Sequence, residues 1–128
     1  MLKSVSGLGL YVSDIKKTVA FYKKLGFNKV SKDEGSTKIY LNWFWVQFTE
    51  NATSKNLGKE FQKEAFAKNR GAGLYINVSV SEIDAYYSSL LKKRLKPSSK
   101  PRNWPWGNRE FVIRDPDGYK IVFFEKIK

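Results

Sequence analysis

The residues able to do chemistry in this chain are defined first by two absences. Among 128 residues there is no histidine and no cysteine. The commonest general base and the commonest transition-metal ligand are therefore missing together, and so is any thiolate. A zinc, iron or nickel site would have to be built from carboxylates alone, against the usual ligand preferences of those metals. The carboxylates form no convergent acid–base pair that can be picked out by spacing. What remains is aromatic: 4 Trp, 7 Tyr and 9 Phe. Trp43 and Trp45, with Gln47 beyond them, alternate with Phe44, Val46 and Phe48. Tyr11 alternates with Leu10 and Val12, Tyr75 and Asn77 with Ile76 and Val78, and Phe124 lies near the C-terminus. Aromatic faces beside a few amides suit a flat or amphipathic ligand held by stacking and a few hydrogen bonds. Trp104 and Trp106, in a proline-containing stretch unable to form a regular strand, are placed to form a rim or lid. The competing assignment makes these same rings core filler or a subunit interface.

The elements that must position these side chains read as two similar halves. Residues Ser6–Val12 alternate as a strand, with Leu8, Leu10 and Val12 on one face and Gly7, Gly9 and Tyr11 on the other. Ser13-Asp14 supplies a helix N-cap, Ile15, Val19, Tyr22 and Leu25 recur at helical spacing, and Gly26 is a terminator. Strands are expected at Phe27–Lys32, Thr37–Leu41 and Phe44–Thr49, with turns at Asp33-Glu34-Gly35-Ser36 and Asn42-Trp43. The result is β-α-β-β-β by about residue 50.

Residues 51–70 are polar and read as a connector, with Phe61, Ala65 and Phe66 spaced for one short helix. From residue 71 the pattern repeats. Leu74, Ile76, Val78 and Val80 alternate with Tyr75, Asn77 and Ser79, and Ser81-Glu82-Ile83 matches Ser13-Asp14-Ile15 at an offset of 82 − 14 = 68 residues. A helix through Ile83, Tyr86 or Tyr87, Leu90 and Leu91 follows, with Lys92-Lys93-Arg94 at its end. The segment Leu95–Pro101 is proline-broken and predicts an edge or irregular strand. Asp115-Pro116-Asp117-Gly118 then joins two apolar runs as a tight hairpin.

Two strings carry a family resemblance. Val12-Ser13-Asp14-Ile15 with Phe21-Tyr22-Lys23-Lys24-Leu25-Gly26-Phe27 opens the chain, and Trp106-Gly107 with Asp115-Pro116-Asp117-Gly118-Tyr119 closes it. In this order they resemble the vicinal oxygen chelate superfamily of glyoxalases, dioxygenases and bleomycin resistance proteins. The resemblance implies an α+β fold in which two βαβββ modules (1–50 and 71–128, joined by 51–70) form a cupped mixed sheet within one domain spanning 1–128. It also locates the metal ligands of metal-dependent members at Gly7, Gln47, Tyr75 and Val122, a set without imidazole or carboxylate. The chain is thus similar in character to metal-free drug-binding members, which work as homodimers with ligand crevices. That similarity implies no cofactor, a small hydrophobic or aromatic ligand, and a site drawn from Tyr11, Trp43, Trp45, Gln47, Tyr75, Asn77, Trp104, Trp106 and Phe124.

Charge complicates that assignment. With 24 Lys+Arg against 12 Asp+Glu the chain carries +12. Bleomycin is cationic, so the net charge opposes it at long range, and Glu34 or Glu110 could offset this only locally. A lyase, isomerase or transferase of the same fold is the alternative function. A nucleic-acid or anionic-partner binder is a third, although no helix-turn-helix or RRM signature accompanies the charge. No apolar run approaches the ~18–20 residues of a membrane span. The N-terminus lacks a secretory h-region, and the expected location is the cytoplasm.

Overall fold

The computed structural model describes residues 1–33, 35–51 and 58–128; Glu34 of the first hairpin turn and residues 52–57 of the connector lie outside the described residues. The chain divides into two compact units, Met1–Arg70 and Gly71–Lys128.

In the first unit the elements are β1 (Gly7–Val12), α1 (Ile15–Leu25), β2 (Lys29–Asp33), β3 (Ser36–Leu41), β4 (Phe44–Glu50) and α2 (Lys59–Ala65). The sheet order is β1-β4-β3-β2, parallel between β1 and β4 and antiparallel elsewhere. Period-2 alternation sorts the side chains. Leu10, Val12, Ile39, Val46 and Phe48 are buried, with Val19, Tyr22 and Leu25 of α1 buried as well and Tyr22 meeting Phe48 at 4.9 Å. The Asp14 side chain accepts from Lys17 N–H, and Gly26 closes the helix at φ 116 with its N–H on the Lys23 carbonyl. Both boundaries fall where capping chemistry puts them.

The second unit repeats the plan with β5 (Tyr75–Ser79), α3 (Ile83–Lys92), β6 (Arg102–Asn103), β7 (Asn108–Arg114) and β8 (Lys120–Lys126). Its sheet order is β5-β8-β7-β6. Phe111, Ile113, Ile121 and Phe123 are buried, and the Tyr86 and Tyr87 rings of α3 lie within ring-contact distance of Phe111. The two sheets match the expected α+β fold of two βαβββ modules. The proline-broken stretch 95–101 forms no strand, since Pro97 and Pro101 cannot donate to a ladder, and the short edge strand β6 begins only after it at Arg102.

Three local details differ from the sequence expectation. Trp43 sits in the β3–β4 turn beside Asn42 (φ 56), 68% exposed, and not on the strand face shared by Trp45 and Gln47. A two-residue reversal needs positive φ, which asparagine tolerates, and this takes Trp43 out of the pleat. The connector helix α2 buries Ala65, whereas Phe61 and Phe66 stay largely exposed. Finally, Glu82 does not cap α3: it adopts φ 52 with no side-chain cap bond. Instead Glu125, at the end of β8, accepts from Glu82 N–H (2.7 Å) and Ile83 N–H (3.2 Å). Glu50 at the end of β4 does the same for Ile15 N–H of α1 at 3.0 Å. Each module thus anchors its long helix through the carboxylate ending its fourth strand, where the helix dipole favours a negative charge.

Candidate functional site

The closing hairpin builds the floor of the site. Asp115 Oδ1 accepts from Asp117 N–H (3.0 Å) and Tyr119 N–H (2.9 Å), and Gly118 takes φ 91. This Asx-type turn fixes the β7–β8 register at Val112↔Val122 and Glu110↔Phe124. With Phe111 and Phe123 committed to the core, Glu110, Val112, Val122 and Phe124 must face the other way. From β5, Tyr75 and Asn77 join that face opposite Lys120 and Val122.

The Trp-Pro-Trp-Gly segment forms the wall. Gly107 N–H donates to the Trp104 carbonyl at 3.1 Å, Trp104 N–H donates to the Asn108 carbonyl at 2.8 Å, and Gly107 adopts φ 89, so the chain reverses between β6 and β7. The two indoles stack at 4.7 Å with their planes 12° apart, and the Arg102 guanidinium lies 3.7 Å over Trp104. Trp106 Nε1–H donates to Glu110 Oε2 at 3.0 Å, and Asn108 Nδ2–H donates to the same oxygen at 3.2 Å.

Together these residues enclose a concavity of about 580 Å³, within the size range of small-molecule sites. Five residues singled out from sequence, Tyr75, Asn77, Trp104, Trp106 and Phe124, line it. The other four belong to the first module. Trp45 and Gln47 stand on the open face of its sheet, opposite Gly7 and Gly9 of β1, with Lys38 Nζ 4.4 Å over the Trp45 ring. Trp43 is in the turn. Tyr11 lies by α2, where partial burial, then Glu64 and Glu60, raise its phenol above the ordinary tyrosine range, and Arg70 donates to its carbonyl at 3.1 Å. Lining residues that the sequence did not mark as binding residues include Arg102, Asn108, Lys120 and Val112. Their signal was present. Lys120 alternates with Phe124 through Val122, and Arg102 precedes Trp104 and Trp106 at a spacing of two.

The positions that would hold a metal in metal-dependent relatives do not fit one. A Cβ added at Gly7 would run into the Trp45 indole and the Trp45 carbonyl, so no ligand side chain has room there. Val122 is a buried aliphatic, and Tyr75 carries Lys120 Nζ 5.5 Å over its ring. Among the described residues, no group of three or more His, Cys, Asp or Glu could hold a metal ion. Among the described residues, Glu110 is the one carboxylate lining the concavity. No helix among the described residues is long and apolar enough to cross a membrane.

Comparison with known proteins bears on the fold and family. The Glyoxalase/Bleomycin resistance protein/Dioxygenase superfamily model matches residues 4–123. Bleomycin resistance proteins from Geobacillus stearothermophilus and Staphylococcus aureus are each 29% identical over 136 aligned positions, covering 100% of this chain and 99% of theirs. Among solved structures, a glyoxalase/bleomycin resistance protein/dioxygenase from Nocardioides superposes with a TM-score of 0.83 at 20% identity, covering 100% of this chain and 86% of that one. The lactoylglutathione lyase from Agrobacterium tumefaciens superposes with a TM-score of 0.75 at 15% identity, covering 98% and 95% respectively. With its duplicated βαβββ plan, Asp-Pro-Asp-Gly hairpin and family match over nearly its whole length, this chain belongs to the glyoxalase/bleomycin resistance protein/dioxygenase superfamily.

Proposed function

We propose that this protein binds a small aromatic molecule without a resident metal or cofactor, and that it protects by sequestering its ligand, as an antibiotic-binding protein does. The observation that carries the reading is the concavity on the open face of the second sheet. It offers stacked indoles, a phenol and amide groups, and at the family's metal positions no set of metal donors. Such a lining supplies stacking area and a few orienting hydrogen bonds, which is what reversible capture of a flat ligand needs. The curated relatives named for bleomycin resistance support the same class of function. The enzymatic alternative would have to run on Glu110, Tyr75 or Lys120 as acid or base; the Glu110 carboxylate is already held by Trp106 and Asn108, and Lys120 lies over the Tyr75 ring.

The working form in this proposal is a cytoplasmic homodimer. Trp43, Tyr75 and Trp106 are 68%, 55% and 60% exposed in the single chain, more aromatic surface than an isolated domain of this size usually leaves to water. Native mass spectrometry of the purified protein tests the reading at once. The expected result is a species of twice the 14.8 kDa chain, free of stoichiometric transition metal, that takes up one small aromatic molecule per chain. A metal-loaded monomer that turns over a glutathione adduct would overturn it.

A further inference from the structure

We infer that the ligand of this concavity is a planar aromatic anion: a ring system bearing a carboxylate, sulfonate or phosphate group. The inference rests on the small-molecule reading above and narrows its ligand class.

It starts from how the cations are held. Inside the concavity, both basic side chains lie over aromatic rings: Arg102 at 3.7 Å over Trp104 and Lys120 at 5.5 Å over Tyr75. The first sheet uses the same device on its own open face, with Lys38 at 4.4 Å over Trp45 and Lys29 at 5.3 Å over Tyr40. A lysine or arginine serving only solubility extends into water. These lie along ring faces, so their charge is fixed beside the surface on which a flat ligand would stack. A cation already ordered in this way loses less rotamer freedom when an anion arrives.

The rest of the open face adds to the same potential. By register, Arg114 stands opposite Lys120 at one end of this face, and Lys126 stands opposite Asn108 at the other. Among the described residues two cations and one carboxylate, Glu110, line the concavity, and that carboxylate takes hydrogen bonds from Trp106 and Asn108 through a single oxygen. A cationic guest would stack among these charges at a Coulombic cost, whereas an anionic guest would not. The whole-chain charge of +12 acts in the same direction at longer range. A cationic drug such as bleomycin is thus the wrong charge for this lining. Duplex nucleic acid fits it poorly as well, because its phosphates face outward while its bases are already stacked and cannot reach the indole faces.

Calorimetric titration of the full chain with three isosteric probes tests the inference: 2-naphthalenesulfonate, 2-naphthylmethanol and 2-naphthylmethylammonium. The expected order is sulfonate, then alcohol, then ammonium. The sulfonate should lead the alcohol by about tenfold at low salt and by less at ~150 mM, as screening requires. In Arg102→Gln and Lys120→Gln, each checked for an unchanged melting profile, the sulfonate-to-alcohol ratio should fall toward one. Equal binding of all three probes, or preference for the ammonium, overturns the inference and leaves the binding-site reading standing. Binding of none of them overturns both. Displacement of the sulfonate by random duplex DNA at ~150 mM salt would overturn it in favour of nucleic acid.

Discussion

Phe123 and Phe124 are adjacent on β8, yet they belong to opposite sides of the second sheet, and that difference can be measured. Phe123 is 1% exposed, with its ring 5.0 Å from Tyr86 and 5.1 Å from Phe111. Truncating it leaves a closed void beneath α3, so Phe123→Ala should cost ~3–5 kcal/mol, a large share of the ~5–15 kcal/mol that holds a typical domain together. Phe124 is partly exposed and lines a concavity that is open to solvent. Water enters the space its ring vacates, so the cavity penalty largely disappears. Part of a phenyl transfer free energy remains, giving about 1–2 kcal/mol for Phe124→Ala. Ligand binding should rank the two the other way. Loss of an aromatic contact worth ~1–1.5 kcal/mol predicts about tenfold weaker capture of 2-naphthylmethanol by Phe124→Ala. Should Phe123→Ala fail to fold, Phe123→Leu, at a cost of less than about 1.5 kcal/mol, should keep wild-type affinity. Urea denaturation and calorimetric titration on the same preparations give both quantities. Equal stability losses for the two alanine variants, or weaker binding in Phe123→Leu than in Phe124→Ala, would refute the assignment of faces.

The strand-end carboxylates give a second comparison. Glu125→Ala removes an acceptor of two backbone N–H groups and Glu50→Ala an acceptor of one, so chemical denaturation should show costs of about 2 and about 1 kcal/mol in that order. Burial raises the Tyr86 phenol above its ordinary range, so the folded state favours the neutral form. That contribution is complete below the unfolded value near pH ~10 and is lost as the pH climbs beyond it. Alkaline denaturation should therefore be shallower in Tyr86→Phe, and identical profiles would remove this role. The Arg109 side chain, bonded to Asp84 at 2.8 and 3.0 Å, holds the Asp84 carboxyl below the usual range. Asp84→Asn should consequently remove a small component of acid destabilisation that appears as the pH falls below the ordinary carboxyl value of ~3.9 and through the depressed one, and thermal melts at pH ~2 to ~5 would register it.

Much of this protein is written locally in its sequence. Alternation at Leu8–Val12 and Leu74–Val80 assigns strand faces because successive side chains point to opposite sides of a pleat. Asp14, Gly26 and the Asp115–Gly118 turn mark boundaries because their side-chain or φ requirements are met within a few residues. The duplicated order of elements, and with it the fold, follows from those signals. Features that depend on distant parts of the chain meeting were not legible in the same way. Glu125 reaches the α3 N-terminus across 42 residues, where Glu82 had the local claim to the cap. The indole of Trp45 fills the space over Gly7 only because β1 and β4 pair in one parallel register. Lys120 finds the Tyr75 ring through the equivalent register of β5 and β8. Composition alone gave a surplus of cations and a surplus of aromatics. Their pairing into a charged, ring-lined concavity was decided by the parallel register of β5 and β8, strands that no tight turn joins, so that closing a long loop and burying one face fix it and no local propensity encodes it.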